Sequence, residues 1–261
     1  MDAGSTPKEI RQAIRQGRYA GGTAGLAPGY VQANLVILPR AQAYDFLVFC
    51  QRNPKPCPLI EVTDPGNPEP AGAAPGADLR SDVPRYRIYR DGQLEAEVTD
   101  ITGHWRDDFV AFLLGCSFTF ENALLQAGVP VRHIEENRIV PMFRTNLACR
   151  PAGIFRGPTV VSMRPIPAPL VPRAVTVTAR YPMAHGSPLH VGDPARIGIA
   201  DVHRPDWGDP PTILAGEEPV FWACGVTPQA VALEARLPLV ITHAPGHMFV
   251  TDLPDHVLSV L

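Results

Sequence analysis

The spacing of apolar residues changes period several times along the chain, and each change marks an element. Thr6-Pro7-Lys8-Glu9 has the capping-box spacing with Pro at the first helical position. Ile10, Ala13 and Ile14 follow at helical intervals until Gly17. A Gly-rich loop over 21–29 leads into an alternating apolar run over 31–38, which reads as a strand ending at Pro39. Tyr44, Leu47 and Val48 make the next helical stripe, which has to stop before Pro54. Residues 59–63 read as a short strand, and the Pro/Gly/Ala-rich stretch 64–77 as a surface loop. Two runs, 86–90 and 93–98, are joined by Asp91-Gly92, a strong hairpin signal. Asp107 and Asp108 suit a helix start, and Phe109, Phe112, Leu113, Cys116, Phe120 and Leu124 continue that helix until Gly128.

Beyond Gly128 the pattern shifts. Residues 138–145, 159–164 and 173–181 read as strands without an intervening helix. The last third returns to alternation: a strand over 219–224, a helix from Thr227-Pro228 to about Ala235, and a strand over 237–242. That is one βαβ unit, which favours a parallel pair. The fold class expected is α/β, a mixed sheet with helices on its faces, plus a smaller mainly β (α+β) subdomain. Residues 1–128 and 183–261 would form the main subdomain and 129–182 the smaller one, packed as one compact unit. No internal repeat stands out.

Composition narrows the partners. With 261 residues and 45% apolar content the chain can bury a sizeable core. The net charge of −3 and the scattered Arg and Lys give no stripe for a phosphate backbone, so no nucleic-acid partner is expected. The start of the chain, residues 1–8, is polar and lacks an apolar signal run. The longest apolar runs, such as 109–114, fall far short of a membrane span. The five cysteines, Cys50, Cys57, Cys116, Cys149 and Cys224, have neither zinc-site spacing nor a disulfide framework. A soluble protein of the reducing cytoplasm is expected, with no membrane partner and a homodimer as the default assembly.

Thirty prolines, many beside Gly or Asp, fix short polar loops that can position functional groups. In the βαβ reading, Thr227 and Gln229 at the helix start and His243 and His247 after the next strand would converge at one edge. The free amides there suit a carboxylate. Pro245-Gly246 between the two histidines forbids the helical metal-binding pair, so acid/base work suits them better, and no metal is assigned. Asp193 lies near His190 in a Gly-Asp-Pro turn. Glu121 shares a helical face with Ser117 among apolar neighbours, which favours a partly buried carboxylate. Arg52 and Arg144 stand in polar clusters (Arg52-Asn53-Pro54-Lys55 and Arg144-Thr145-Asn146) and are natural clamps for a substrate carboxylate. No glycine-rich nucleotide fingerprint follows a strand, so no cofactor is expected.

Read together, several segments carry a resemblance. They are 25–34 (Gly25 to Asn34), 49–58 (Phe49 to Pro58), 112–118 through Glu121, and 142–146 (Met142 to Asn146). Gly157-Pro158 through 161–165, His190 to Pro194, 221–229 (Phe221 to Gln229), and Thr242 through Asp252 complete the set. Together they resemble the D-glutamate cyclase family, whose bacterial members carry a hydro-lyase label, over residues 21–252. The resemblance implies a lyase eliminating water, here from D-glutamate as it closes to 5-oxo-D-proline.

The roles expected on residue chemistry are these. Arg52 or Arg144 clamps a carboxylate, with Asn34, Asn146, Thr227 and Gln229 as further substrate contacts. Amides near Thr227 stabilise an oxyanion, and Glu121 and His243, with His247 and Asp193, move protons. A hydratase or dehydratase of a small hydroxy acid would use the same groups. A non-catalytic carboxylate-binding protein is the third reading.

Overall fold

The computed structural model describes residues 4–260, so residues 1–3 of the polar start lie outside the described residues. Two sheets carry the architecture. The larger runs β2-β5-β1-β10-β3-β4, with β11 also beside β1: β1 (Tyr30–Pro39), β2 (Leu59–Val62), β3 (Tyr86–Arg90), β4 (Gln93–Val98), β5 (Phe109–Gly115), β10 (Val240–His243) and β11 (Phe249–Pro254). The smaller runs β6-β7-β9-β8: β6 (Met142–Ala148), β7 (Pro158–Pro167), β8 (His190–Val191) and β9 (Glu217–Ala223). The helices are α1 (Pro7–Arg15), α2 (Arg40–Arg52), α3 (Phe118–Gln126), α4 (Arg132–Glu135), α5 (Val171–Ala179) and α6 (Val226–Glu234). The mixed α/β class with a second, smaller sheet holds. Residues 129–182 supply β6 and β7 of that sheet, while β8 and β9 come from 190–191 and 217–223. No described helix is long and apolar enough to cross a membrane.

β1, read from the sequence as an alternating strand, is buried on both faces. Leu35 and Ile37 pack with Leu79 and Val83 on one face, while Val36 and Leu38 pack with Phe46, Phe49 and Val231 on the other. At the hairpin, Asp91 (φ 49) and Gly92 (φ 80) both take the positive φ that a type I′ turn demands.

Three expectations are corrected. Residues 109–115 form β5, with all seven buried, and the helix starts only at Phe118; a run apolar on both faces has no period that separates strand from helix. Residues 171–179 form helix α5 rather than a strand. Its β-branched residues are tolerated because Thr178 turns its hydroxyl back to the Ala174 carbonyl (2.9 Å) and accepts Trp222 Nε1–H (3.1 Å). The parallel βαβ unit does not exist: β9 belongs to the small sheet, β10 to the large one, and every recorded strand pairing is antiparallel. A helix between two apolar strands can join two sheets as well as one.

The two sheets contain one unit built twice, a repeat that the sequence reading missed. β2-β5-β1 and β8-β9-β7 have the same order and antiparallel sense. Ala24, Gly25, Gly29 and Pro39 recur at the same spacing as Ala152, Gly153, Gly157 and Pro167. Cys116 and Thr119 recur as Cys224 and Thr227. The Thr119 hydroxyl accepts the Gln32 N–H (3.3 Å), as Thr227 accepts that of Val160 (2.9 Å). Each unit ends in a Met-Phe-x-Thr strand that crosses over. Thr145 of β6 donates to the Thr159 carbonyl of β7 (2.7 Å), and Thr251 of β11 donates to the Val31 carbonyl of β1 (2.8 Å).

Candidate active site

The β5–α3 junction, Gly115-Cys116-Ser117, turns tightly against the 182–185 loop; a Cβ on Gly115 would collide with the Met183 carbonyl oxygen. That turn puts Glu121 of α3 inward, 2% exposed. Opposite it stands Arg164 of β7, fully buried. Arg164 donates from Nε to Glu121 Oε1 (3.1 Å), from Nη1 to Ser162 Oγ (3.1 Å) and from Nη2 to Ser117 Oγ (2.9 Å), and Nη2 also meets Glu121 Oε1. Its guanidinium lies 5.3 Å from the Phe120 ring centre and 5.4 Å from that of Trp222, so aromatic faces supplement the ion pair. His133 of α4, stacked on Phe118, brings Nε2 to 3.1 Å from the same oxygen, at ion-pair distance but without hydrogen-bond alignment. Burial pushes the Glu121 carboxyl up, but His133 and Arg164 outweigh it and hold the group below the usual carboxylate range. Glu121 is therefore an anion whose Oε1 is crowded with donors.

Its other oxygen is not. Glu121 Oε2 is buried without a hydrogen-bond partner, and so is Gln32 Oε1. The Gln32 amide is fixed, since its Nε2 donates to the carbonyls of Thr23 (2.9 Å) and Leu26 (3.0 Å), leaving only the oxygen free. Both residues line a cavity of about 170 Å³ walled by the 25–30 loop, Phe118 and Thr119. Glu121 is the one charged side chain in that lining. Unpaired buried acceptors are costly, and a cavity of about 150 Å³ suffices for a small organic molecule. An anion beside a second free acceptor can receive hydrogen bonds from a cationic donor. A second cavity of about 450 Å³ continues along the same loop past Phe118, where Tyr19, Gly22, Arg138 and His247 line it. His247 Nδ1 lies 2.8 Å from the Pro245 carbonyl, so that nitrogen carries the hydrogen; burial lowers the ring's pKa.

At the corresponding place in the second unit the chemistry is neutral. The register puts Asn34 where the other unit has Ser162, and Val36 where it has Arg164. Gly225 and Gln229 stand where Ser117 and Glu121 do. Asn34 Nδ2 donates to the Gly115 carbonyl (2.8 Å), and its amide would collide with any Cβ on Gly225. The Gln229 amide lies 2.9 Å from His243 Nδ1, which also accepts the Leu35 N–H (3.0 Å). Burial pushes His243 down to about 3, so it is neutral at any working pH. The Thr227 amide is bonded to the Cys224 carbonyl (2.9 Å). None of these four side chains lines a described cavity.

The remaining sequence candidates lie elsewhere. Arg52 is exposed and donates to the Pro151 carbonyl. Arg144 is exposed over Trp207 and beside Glu234, with Asn146 exposed on the same strand against Gly198. Asp193 is exposed and caps the short turn at Pro194 through the Ala195 N–H (3.0 Å). Sequence reasoning found Glu121 and overlooked Arg164, His133, Ser162 and Gln32 as its partners. Arg164 and Gln32 had a signal, each being a strongly polar residue inside a strand buried on both faces. His133 had none. Among the described residues no three His, Cys, Asp or Glu side chains group as metal ligands.

A model of the D-glutamate cyclase family matches residues 110–252, which include Glu121, His133 and Arg164. Relatives extend the match to nearly the whole chain. A protein of Stutzerimonas stutzeri (strain A1501), named "Putative hydro-lyase", is 66% identical over 98% of this chain and 97% of its own. The chain belongs to the D-glutamate cyclase family. Relatives likewise named as hydro-lyases occur in Thermoanaerobacter sp. (strain X514), 65% identical over 97% of this chain and 96% of its own, and in Geobacillus kaustophilus (strain HTA426), 62% identical over 97% of each. Among solved structures, a nitrogen repressor-like protein from Methanococcus jannaschii aligns over 90% of this chain and 91% of its own at a TM-score of 0.39 and 11% identity.

Proposed function

We propose that this member of the D-glutamate cyclase family is a hydro-lyase acting on a small amino acid, and that it closes D-glutamate to 5-oxo-D-proline. The observation that carries the reading is a pair of buried, unpaired acceptors, Glu121 Oε2 and Gln32 Oε1, on two residues that line one small cavity. Two acceptors and one anion suit an α-ammonium group; a hydroxy acid would leave one of them unanswered. Arg138 in the adjoining cavity is the group suited to hold a substrate carboxylate, in place of the distant Arg52 and Arg144.

In the reaction the nitrogen loses two protons and forms one bond to the γ-carboxyl carbon. One carboxyl oxygen takes both protons and leaves as water. Glu121 Oε2 accepts the first proton, which frees the amine's lone pair for attack, and returns it to the departing oxygen. Arg164, fixed by two serines, keeps Glu121 oriented throughout. A ring closure within one bound molecule then draws on proximity for much of its rate.

The test is a panel of D- and L-glutamate and small hydroxy acids, followed for loss of primary amine and for release of water. D-Glutamate should lose its amine, with Glu121→Gln slower by about a hundredfold. Dehydration of a hydroxy acid with D-glutamate untouched would replace this reading with the dehydratase one.

A further inference from the structure

Ring closure develops one charge that the groups named so far do not meet. When the nitrogen attacks, the γ-carboxyl carbon becomes tetrahedral and one of its oxygens turns anionic. Such an oxygen needs hydrogen-bond donors already in place. Glu121 has just taken a proton and is neutral at that moment, and no cationic side chain lines its cavity. Arg164 is committed to Glu121 and the two serines. The donors must therefore be neutral groups of the cavity wall.

Four side chains in that wall carry N–H or O–H groups: Tyr30, Gln32, Thr119 and Asn122. Gln32 Nε2 is committed to the Thr23 and Leu26 carbonyls, and the Thr119 hydroxyl lies against the β1 backbone at Gln32. Tyr30 stands at the rim, 36% exposed. Asn122 is half-buried, and its carboxamide has no hydrogen-bond partner among the described residues. It lies on α3 one turn after Phe118 and one turn before Leu125. Both of these line the cavity, so the Asn122 side chain shares their face.

The loop wall adds a second donor. Ala27 is buried on the same cavity and holds φ at 43°, a left-handed conformation that a non-glycine residue keeps only under constraint. The constraint is visible on both sides. The Leu26 carbonyl accepts Gln32 Nε2 (3.0 Å), and the Ala27 carbonyl accepts the Tyr30 N–H (3.1 Å). The Ala27 N–H itself has no acceptor among the described residues. An unpaired backbone N–H on a buried residue is rare and asks for a partner.

We propose that Asn122 is a further catalytic residue, and that its carboxamide N–H and the Ala27 amide form the oxyanion-binding pair for the γ-carboxyl group. This rests on the D-glutamate reading given above. The substrate nitrogen meets Glu121 and Gln32, and the α-carboxylate lies toward Arg138. As the N–C bond forms, the carbonyl π pair moves onto the oxygen held by Asn122 and Ala27. When the bond to the other, protonated oxygen breaks, that pair returns to the carbonyl and water leaves. The lactam carbonyl stays on the same two donors, and no other reactant is needed.

The test reads turnover and binding together. Asn122→Leu keeps the volume and removes the donor. It should lower kcat for D-glutamate about a hundredfold, with KM within about threefold. Two unreactive ligands separate a donor from a merely structural residue. The D-glutamate analogue with a phosphonate in place of the γ-carboxyl carries a tetrahedral anion there, and D-α-aminobutanoate carries nothing. By calorimetry the variant should bind the phosphonate about tenfold more weakly than wild type, and the aminobutanoate within about twofold. Equal losses for the two ligands, or wild-type turnover in the variant, would overturn the proposal. So would a selective loss in Tyr30→Phe that is absent from Asn122→Leu. Should Asn122→Leu not fold, Asn122→Ala is read in the same way. If wild type leaves D-glutamate intact, the ring-closing reaction falls, and the ligand pair alone decides the donor. In that case no selective loss, or no binding of the phosphonate by wild type, overturns it.

Discussion

Glu121 and Gln229 occupy the same position in two copies of one structural unit, and only Glu121 faces an arginine. The register that brings Arg164 to Glu121 puts Val36 at the matching point opposite α6. One copy thus carries an ion pair beside a cavity, and the other an uncharged hydrogen-bonded cluster inside the core.

Removing the cation should cost more than removing the pair. Arg164→Met leaves a carboxylate buried with neither guanidinium nor the two serine contacts, and should destabilise by about 3–5 kcal/mol. Adding Glu121→Gln should return a large part of that loss. Urea unfolding of the two single variants and the double variant measures the coupling; simple additivity would mean the ion pair does not act as a unit.

The amine subsite can be separated from the proton-transfer step. Gln32→Met keeps the volume but removes the free acceptor together with the amide N–H groups that bond the Thr23 and Leu26 carbonyls, so KM for the amino substrate should rise about tenfold with kcat little changed, alongside some loss of stability. Glu121→Gln should act mainly on kcat. Steady-state kinetics on both variants would expose an inverted pattern.

In the neutral copy the opposite substitution is the informative one. Gln229→Glu introduces a buried carboxylate with Val36, not an arginine, across from it, and should cost about 3 kcal/mol or more at neutral pH. Lowering the pH should relieve part of the loss, because the new carboxyl can then be protonated. Thermal melts at pH 7 and pH 4.5, each against wild type, read both effects.

His243 should also write itself into the acid stability profile. Its folded pKa of about 3 lies far below the ordinary 6.5, so between these values the unfolded chain binds the extra proton. Stability from this group is intact above about pH 6.5, declines as the pH falls, and is fully lost near pH 3. By pH 5.5 the loss from this group is about 1.4 kcal/mol. A His243→Gln variant should therefore lose less stability between pH 7 and 5.5 than wild type does; parallel curves would contradict the buried neutral ring. Glu121, held low, adds a separate loss only below about pH 4.5.

Local signals were legible wherever chemistry acts within a few residues. The Thr6–Glu9 capping box, the Asp91-Gly92 hairpin and the strand ending at Pro39 all stand as the sequence implied. β5 was not legible as a strand, because burial on both faces erases the alternation that separates the two periods. Glu121 announced itself by its apolar surroundings, whereas its partner Arg164 lies far along the chain on another sheet. The histidines of the 243–247 segment looked catalytic because the βαβ reading placed them at an open sheet edge. With β9 and β10 in different sheets that edge disappears, His243 becomes core, and only His247 reaches a cavity. The repeat escaped notice because it survives in spaced small residues and threonine hydroxyls rather than in a run of identities.

The crossing of β6 onto β7 and of β11 onto β1 bears on how the molecule comes apart. Each half lends the other its closing strand, and Glu121 in one half is neutralised by Arg164 in the other. Neither half is therefore a separable module: cutting the chain between them should yield fragments that remain disordered alone and regain structure only when mixed, and heating the intact chain should melt both sheets in a single step.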